Sequence, residues 1–378
     1  MKFTRKQSVE EALAPKRVLV VYGPRRVGKT TLLSSYLITQ KEKVILSVVG
    51  DDFRVRELFI KEMRDKILDF ARPYDIIAID EAQQIPSIGL GVKMIIDTFP
   101  EKQIILTGSS SFDLSSKIGE PLTGRHFVMT LLPISQSEIF GSRFDLAGNL
   151  EKFLVYGSYP EVLSSESDYD RERILNELVS SYLYKDVLAL DRIKSPDLLR
   201  DIARMLAFQV GNEVSQNEIA VGLKTDVKTV GRYIDLLEKM FVIKKVRGFS
   251  RNLRNEITKK AKYYFLDNGV RNAVISQFGP LSERNDTGAL WENFIFMELC
   301  KQSAVNDRND QYYFWRTHTG NEVDIIRESR GKLTAIECKW NDKAREPKLW
   351  RATYPESEFL VINKENYLDA LLPNAVIA

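Results

Sequence analysis

The chain has little that points to export or to a membrane. Two cysteines in 378 residues, Cys300 and Cys338, make no disulfide framework and fit a reducing cytoplasm. No apolar run approaches the ~18 residues of a membrane span. No signal-peptide pattern opens the sequence, so a cytoplasmic protein with no membrane partner is expected. Internal repeats and low-complexity linkers are also missing. Net charge is only +3, too small by itself to imply nucleic acid, so its distribution matters more. What is present is ordinary: 44% hydrophobic residues, enough for packed cores, in a length that suits two or three domains.

Residues 23–30 read Gly-Pro-Arg-Arg-Val-Gly-Lys-Thr. They follow the apolar run 18–22 and open a helix-like stretch over 29–40, the strand–loop–helix setting of a phosphate loop. Gly23 and Gly28 let the backbone wrap a phosphate closely. Across Pro24-Arg25-Arg26-Val27-Gly28-Lys29-Thr30-Thr31, the backbone N–H groups of the residues after the proline and the helix N-terminus supply the anion site. Lys29 would reach the β- and γ-phosphates, and the Thr30 hydroxyl would bind Mg²⁺. The apolar run 75–79 ends in Asp80-Glu81. A hydrophobic strand beside the phosphate-loop strand would set Asp80 over the metal and leave Glu81 as general base for the attacking water. An Asp-Glu pair argues for hydrolysis and makes ATP the better choice of nucleotide.

A third strand, 103–107, runs into Ser109-Ser110-Ser111. Ser109 is the candidate sensor of the γ-phosphate, with Ser110 close behind; serines after a strand also serve as ordinary loop or cap residues. Arg125 follows a helical stretch and precedes the strand 127–132, at an edge from which it can reach a neighbouring subunit's γ-phosphate. The plain alternative is a surface arginine.

These parts resemble the AAA+ ATPases, in particular a prokaryotic family whose ATPase module precedes a C-terminal domain of unknown function. The matching pieces are the phosphate loop, Asp80-Glu81, Thr107-Gly-Ser-Ser-Ser111, Gly124-Arg125 and Gly157-Ser-Tyr-Pro160. The resemblance implies a ring or partial ring, a homo-oligomer with nucleotide at subunit interfaces. Ser158 stands where such proteins often carry a second glycine, which weakens a hinge role for that segment.

The fold class expected is α/β: a P-loop AAA+ parallel-sheet module over 1–133, a helical lid over 134–195 with an amphipathic run at 171–190, a winged helix over 196–270, and a restriction-endonuclease-like α/β domain over 271–378. The winged helix rests on a helix at 198–210, the capping-box spacing of Ser215 and Glu218, and a helix at 227–240 with apolar residues at 227, 230, 233/234, 237 and 240. Two strands, 241–246 and 263–266, follow. Residues 224–262 carry 12 Lys or Arg against 4 Asp or Glu, +8, leaving −5 for the remainder. Lys228 and Arg232 on the helix, with Lys244, Lys245, Arg247, Arg251, Arg254, Lys259 and Lys260 on the hairpin, form the footprint expected of DNA-backbone binding. Winged helices also dock proteins, so a protein partner stays open.

The C-terminal block carries a second chemistry. An apolar helix holds Glu292, a strand holds Asp324, and the next holds Glu337-Cys-Lys339. Strand alternation puts Glu337 and Lys339 on one face. Asp324 and Glu337 could share Mg²⁺ or Mn²⁺, Lys339 would steady the attacking water or the phosphate, and Glu292 could complete the acid cluster. This order resembles the archaeal Holliday-junction resolvase branch of the restriction-endonuclease-like nucleases, which implies branched DNA as a substrate. The other readings are a fold without cleavage and salt-bridged surface residues. His318, one of two histidines, reads as a loop residue. Three functions remain: an ATP-driven DNA remodeller, an ATP-driven switch that docks proteins, and an ATP-gated metal nuclease.

Overall fold

The computed structural model describes residues 1–60, 64–108, 119, 121–181, 195–250, 260–317, 319–341 and 344–372. Ser109, Ser110, Arg251, Arg254, Lys259 and His318 lie outside the described residues. The chain divides into two compact units, one of Arg5–Leu132 with Lys239–Phe241, the other of Met1–Thr4, Pro133–Glu238 and Val242–Ala378.

The first unit is built on five parallel strands: β1 (Val18–Tyr22), β2 (Ile45–Val49), β3 (Ile76–Asp80), β4 (Gln103–Gly108) and β5 (His126–Thr130). β1 is buried at every position and β3 at all but its last, the unbroken apolar run of a sheet covered on both faces. Val18, Val20, Ile77, Ile79, Ile104 and Leu106 pack there with Val92 and Ile95 of the helix Ile88–Thr98. The strand order is β2-β3-β4-β1-β5. The strand ending in Asp80 is therefore not beside the phosphate-loop strand, as expected from the sequence; β4 lies between them. The carboxyl ends of β1, β4 and β3 open on one edge, where parallel α/β sheets carry ligands.

The second unit holds a seven-stranded mixed sheet: β6 (Glu213–Ser215), β7 (Ile243–Gly248), β8 (Lys260–Phe265), β9 (Gln311–Arg316), β10 (Glu322–Ser329), β11 (Lys332–Cys338) and β12 (Glu358–Ile362), in the order β12-β11-β10-β9-β7-β8-β6. Helix Pro196–Phe208, β6, helices Gln216–Gly222 and Val227–Lys239, and the antiparallel pair β7–β8 follow one another. Ser215 caps the second of these helices by accepting the Glu218 N–H. Val230, Tyr233, Ile234 and Leu237 form the buried face of the third, while Val227 is 42% exposed and stands apart from it. β7 runs parallel to β9 at Arg247 and Gly248, and the Phe249 N–H donates to the Phe314 carbonyl at 2.6 Å. The segments expected at 196–270 and 271–378 thus share one sheet, and 134–180 packs in the same compact unit.

Gly157 explains part of that packing. Its φ of +73° suits glycine, and a Cβ there would lie 1.9 Å from Asp267 Oδ1. The Ser158 N–H donates to Asp267 Oδ2 at 2.7 Å, and Lys301 Nζ donates to Ser158 Oγ at 2.7 Å and to Glu298 Oε1 at 2.8 Å. Asp267, Glu298 and Lys301 are all buried. The segment resembling a lid hinge is here fastened to the helix Asn268–Val274 and to the long helix Thr287–Val305.

Candidate functional site

The phosphate loop turns because of its glycines. Gly23 has φ +157°, and a Cβ would lie 2.1 Å from the Leu131 carbonyl oxygen. Gly28 is left-handed at φ +93° and precedes the helix Lys29–Thr39. Pro24 and Val27 are buried, Arg26 is exposed and left-handed, and Thr30 and Thr31 are exposed at the helix start. Lys29 is buried, and its ammonium donates to the Gly23 and Pro24 carbonyls at 2.9 and 2.8 Å. Arg5 donates to the Val27 carbonyl at 2.5 Å.

Asp80 is the hub. The Thr30 hydroxyl donates to Asp80 Oδ2 at 2.6 Å, across 50 residues of sequence. Thr107 of β4 donates to Asp80 Oδ1, and the Glu81 N–H lies 3.1 Å from that oxygen and 3.2 Å from Thr107 Oγ1. Thr30 thus links the two expected motifs directly, and β4, the intervening strand, braces Asp80 and Glu81 through Thr107. The Asp80 carboxylate meets only neutral donors among these contacts. A hydroxyl and a carboxylate this close, with the buried Lys29 and the Gly23 cradle, fit the donor set of a Mg²⁺–nucleotide. Glu81 is left-handed at φ +50°, and Gln83 Nε2 donates to its Oε2. Arg125 is 40% exposed at the side chain and pairs with Asp97 at 2.7 Å.

The second unit brings Asp324, Glu337 and Lys339 together. Antiparallel pairing of Ile325 with Ile336 sets Asp324 opposite Glu337. Lys339 Nζ lies 2.8 Å from Glu337 Oε2 and 3.4 Å from Asp324 Oδ2, and the Cys338 N–H donates to Asp324 Oδ2 at 2.8 Å. Burial, reinforced by Asp324, pushes the Glu337 carboxyl up to about 7. Burial would discharge Lys339, but its bond to Glu337 and the charge of Asp324 hold its pKa above the ordinary lysine value.

Glu292 does not join this pair as a free third acid. Its Oε1 accepts from Lys262 Nζ at 3.0 Å and from the Tyr264 hydroxyl at 2.6 Å. Burial works against the Lys262 ammonium, but Glu292 and then Asp324 keep it charged. Among the described residues no group of three His, Cys, Asp or Glu side chains is arranged to hold a metal ion. Mg²⁺ or Mn²⁺ would find two carboxylates here, both bonded to Lys339.

The basic set is split. Lys228, Arg232 and Arg247 are exposed and Lys245 is partly so. Lys244, next to Lys245 on β7, faces the other way, with its ammonium 5.7 Å from the Tyr312 ring centre. Lys262 is buried against Glu292 rather than presented to solvent. Sequence reasoning missed three residues: Thr107, Gln83 and Lys262. Lys262 and Tyr264 share a strand face at spacing two, the one signal that could have paired them.

Comparison with known families matches three stretches of the chain. Residues 15–140 match a family described as an AAA domain, residues 147–281 a domain of unknown function, and residues 287–367 another. The first unit carries an AAA-type ATPase module. An uncharacterized protein of Methanocaldococcus jannaschii is 24% identical over 91% of this chain and 80% of its own length. An uncharacterized protein of Haemophilus influenzae is 26% identical over 77% of this chain and 76% of its own. Among solved structures, a point variant of Thermotoga maritima RuvB aligns at a TM-score of 0.29 and 16% identity, over 61% of this chain and 82% of that one. A protein from Vibrio cholerae aligns at 0.17 and 10% identity, over 93% and 92%. At these scores the likeness carries no weight for fold or function. No helix among the described residues is long and apolar enough to cross a membrane.

Proposed function

We propose that this chain hydrolyses ATP as a homo-oligomer and binds DNA, which it remodels or processes, in the cytoplasm. One observation carries the DNA half of the reading. Asp324, Glu337 and Lys339 converge on a sheet continuous, through β9 and β7, with the hairpin bearing Lys245 and Arg247. The order helix, strand, helix, helix, hairpin supports a winged helix, with Lys228 and Arg232 facing outward for backbone contacts.

In the ATPase step, Lys29 and the N–H groups of residues 25–30 bind the β- and γ-phosphates, Lys29 exchanging loop carbonyls for phosphate oxygens. Thr30 and Asp80 would hold Mg²⁺, which when bound neutralises phosphate charge. Glu81 takes a proton from water as the water oxygen bonds the γ-phosphorus and the bond to the β–γ bridging oxygen breaks, giving ADP and phosphate. Arg125 from a neighbouring copy, exchanging Asp97 for the transferring phosphoryl group, stabilises the developing charge. Arg125→Ala is expected to lower hydrolysis by about 10³-fold or more. An unchanged rate, at protein concentrations that span assembly, would remove the trans role.

The test of the DNA half compares binding and scission of duplex, single-stranded and four-way-junction DNA with Mg²⁺ or Mn²⁺, with and without ATP, for wild type and Glu337→Ala. Salt-sensitive binding without scission gives a remodeller. Scission lost in Glu337→Ala gives a nuclease. Absence of both binding and scission moves the assignment to a second reading, an ATP-driven switch whose second unit docks proteins. That reading has its own support: Lys262 and Lys339 already neutralise the acids, and Lys244 and Lys262 are withdrawn from the basic face.

A further inference from the structure

We propose that Gln83 is a positioning residue for hydrolysis, holding the Glu81 carboxylate in one orientation through a neutral hydrogen bond. The inference rests on Glu81 being the general base. Glu81 is an L-residue at φ +50°, a conformation that costs on the order of 1 kcal/mol or more and persists only where its surroundings impose it. Its surroundings do so at both ends. On the backbone side, the Glu81 N–H is held by Asp80 Oδ1 and Thr107 Oγ1. The Gly50 N–H donates to the Asp80 carbonyl at 2.7 Å, and a Cβ on Gly50 would meet the Glu81 carbonyl oxygen at 2.3 Å. On the side-chain side, Gln83 is buried in the short 3-10 turn Ala82–Gln84 and donates its amide to Glu81 Oε2.

The chemistry of the donor matters. A lysine or arginine here would fix the carboxylate but weaken it as a base by favouring its ionised form strongly. An amide donor orients the carboxylate with a neutral hydrogen bond. Gln83 therefore acts through Glu81 and touches no reacting atom.

The test is steady-state ATP hydrolysis against pH for the full chain, with nucleotide affinity and melting temperature measured on the same samples. Gln83→Met keeps the volume and loses the donor; Gln83→Glu replaces the donor with a second carboxylate. For Gln83→Met, kcat is expected to fall about 10–100-fold, the scale of lost outer-shell hydrogen bonds to catalytic groups. Nucleotide affinity and melting temperature stay near wild type. For Gln83→Glu the acidic limb of the kcat profile moves to higher pH, because two carboxylates in one site cannot both ionise easily. Wild-type kcat and an unshifted profile would overturn the proposal, as would a fall in kcat matched by lost affinity or stability. Glu81→Gln, run in parallel, separates the two ideas. Persistent hydrolysis in Glu81→Gln removes the base itself, whereas a dead Glu81→Gln beside a normal Gln83→Met removes only the role of Gln83.

Discussion

The two acid sites of this chain are furnished in opposite ways. Around Asp80 and Glu81 the hydrogen-bond partners described above are hydroxyls, an amide and a backbone N–H: Thr30, Thr107, Gln83 and the Glu81 N–H itself. Around Glu292, Asp324 and Glu337 lysines join the neutral donors: Lys262 beside the Tyr264 hydroxyl on Glu292, Lys339 beside the Cys338 N–H on Asp324, and Lys339 on Glu337. Neutral donors orient a carboxylate and leave its charge for an incoming cation. Ammonium groups satisfy the charge inside the fold. The first arrangement suits turnover with a metal–nucleotide, and in the second lysines already offset acid charge within the fold. Two sites with similar acid content thus differ in what they still require.

The contrast can be broken by substitution. The largest effect is expected at the first site: Glu81→Gln should lower ATP hydrolysis by about 10²–10⁴-fold with nucleotide binding retained, the range for loss of a general base. Phosphate release with a tight-binding fluorescent nucleotide as the second readout checks this. At the second site the largest effect should be on stability. Lys262→Met leaves Glu292 buried without its cation and should cost about 3–5 kcal/mol. Adding Glu292→Gln should recover most of it, a coupling that calorimetry on the double-mutant cycle reads directly. Loss without recovery would mean that the pair acts as packing and not as charge. Gly157→Ala, outside both sites, forces a Cβ toward Asp267 and should cost about 1–3 kcal/mol by the same measurement. A neutral outcome there would show that the Asp267 contact yields easily.

How much of this was legible depends on range. Local signals located β1 to β5 to within about two residues, because each is a bounded apolar run, and they singled out the phosphate loop, Asp80 and Glu81 as candidates. Strand order was not legible, since crossovers leave no local trace, and so β4 was not seen to stand between Asp80 and Lys29. Thr107 was passed over for Ser109 because a hydroxyl inside a strand reads as core until its partner strand is known. Alternation put Glu337 and Lys339 on one face, but that Asp324 meets them was not legible, since it depends on the β10–β11 register. Nor was Lys262, because it looks like one more cation in a basic run, and only the fold turns it toward Glu292. Charge counting therefore overstated the surface patch by residues that face inward.

The smallest effect is the most discriminating for the second site. Glu337 is pushed up to about 7 in the folded chain, against an ordinary glutamate near 4.5. The folded state then binds more protons than the unfolded state between those values, so stability falls as pH rises through that window. The contribution is fully present below about pH 4.5 and lost by about pH 7. Glu337→Gln removes the titration. Its melting temperature relative to wild type should rise between about pH 5 and pH 8, and each 1 kcal/mol of difference reads as about 2–4 °C in a unit of this size. A flat difference would mean that Lys339 already neutralises Glu337 across the window, which would sharpen the contrast with Asp80. A rise that saturating Mn²⁺ abolishes would instead mean that a cation can displace Lys339, and the two acid sites would then differ in degree rather than in kind.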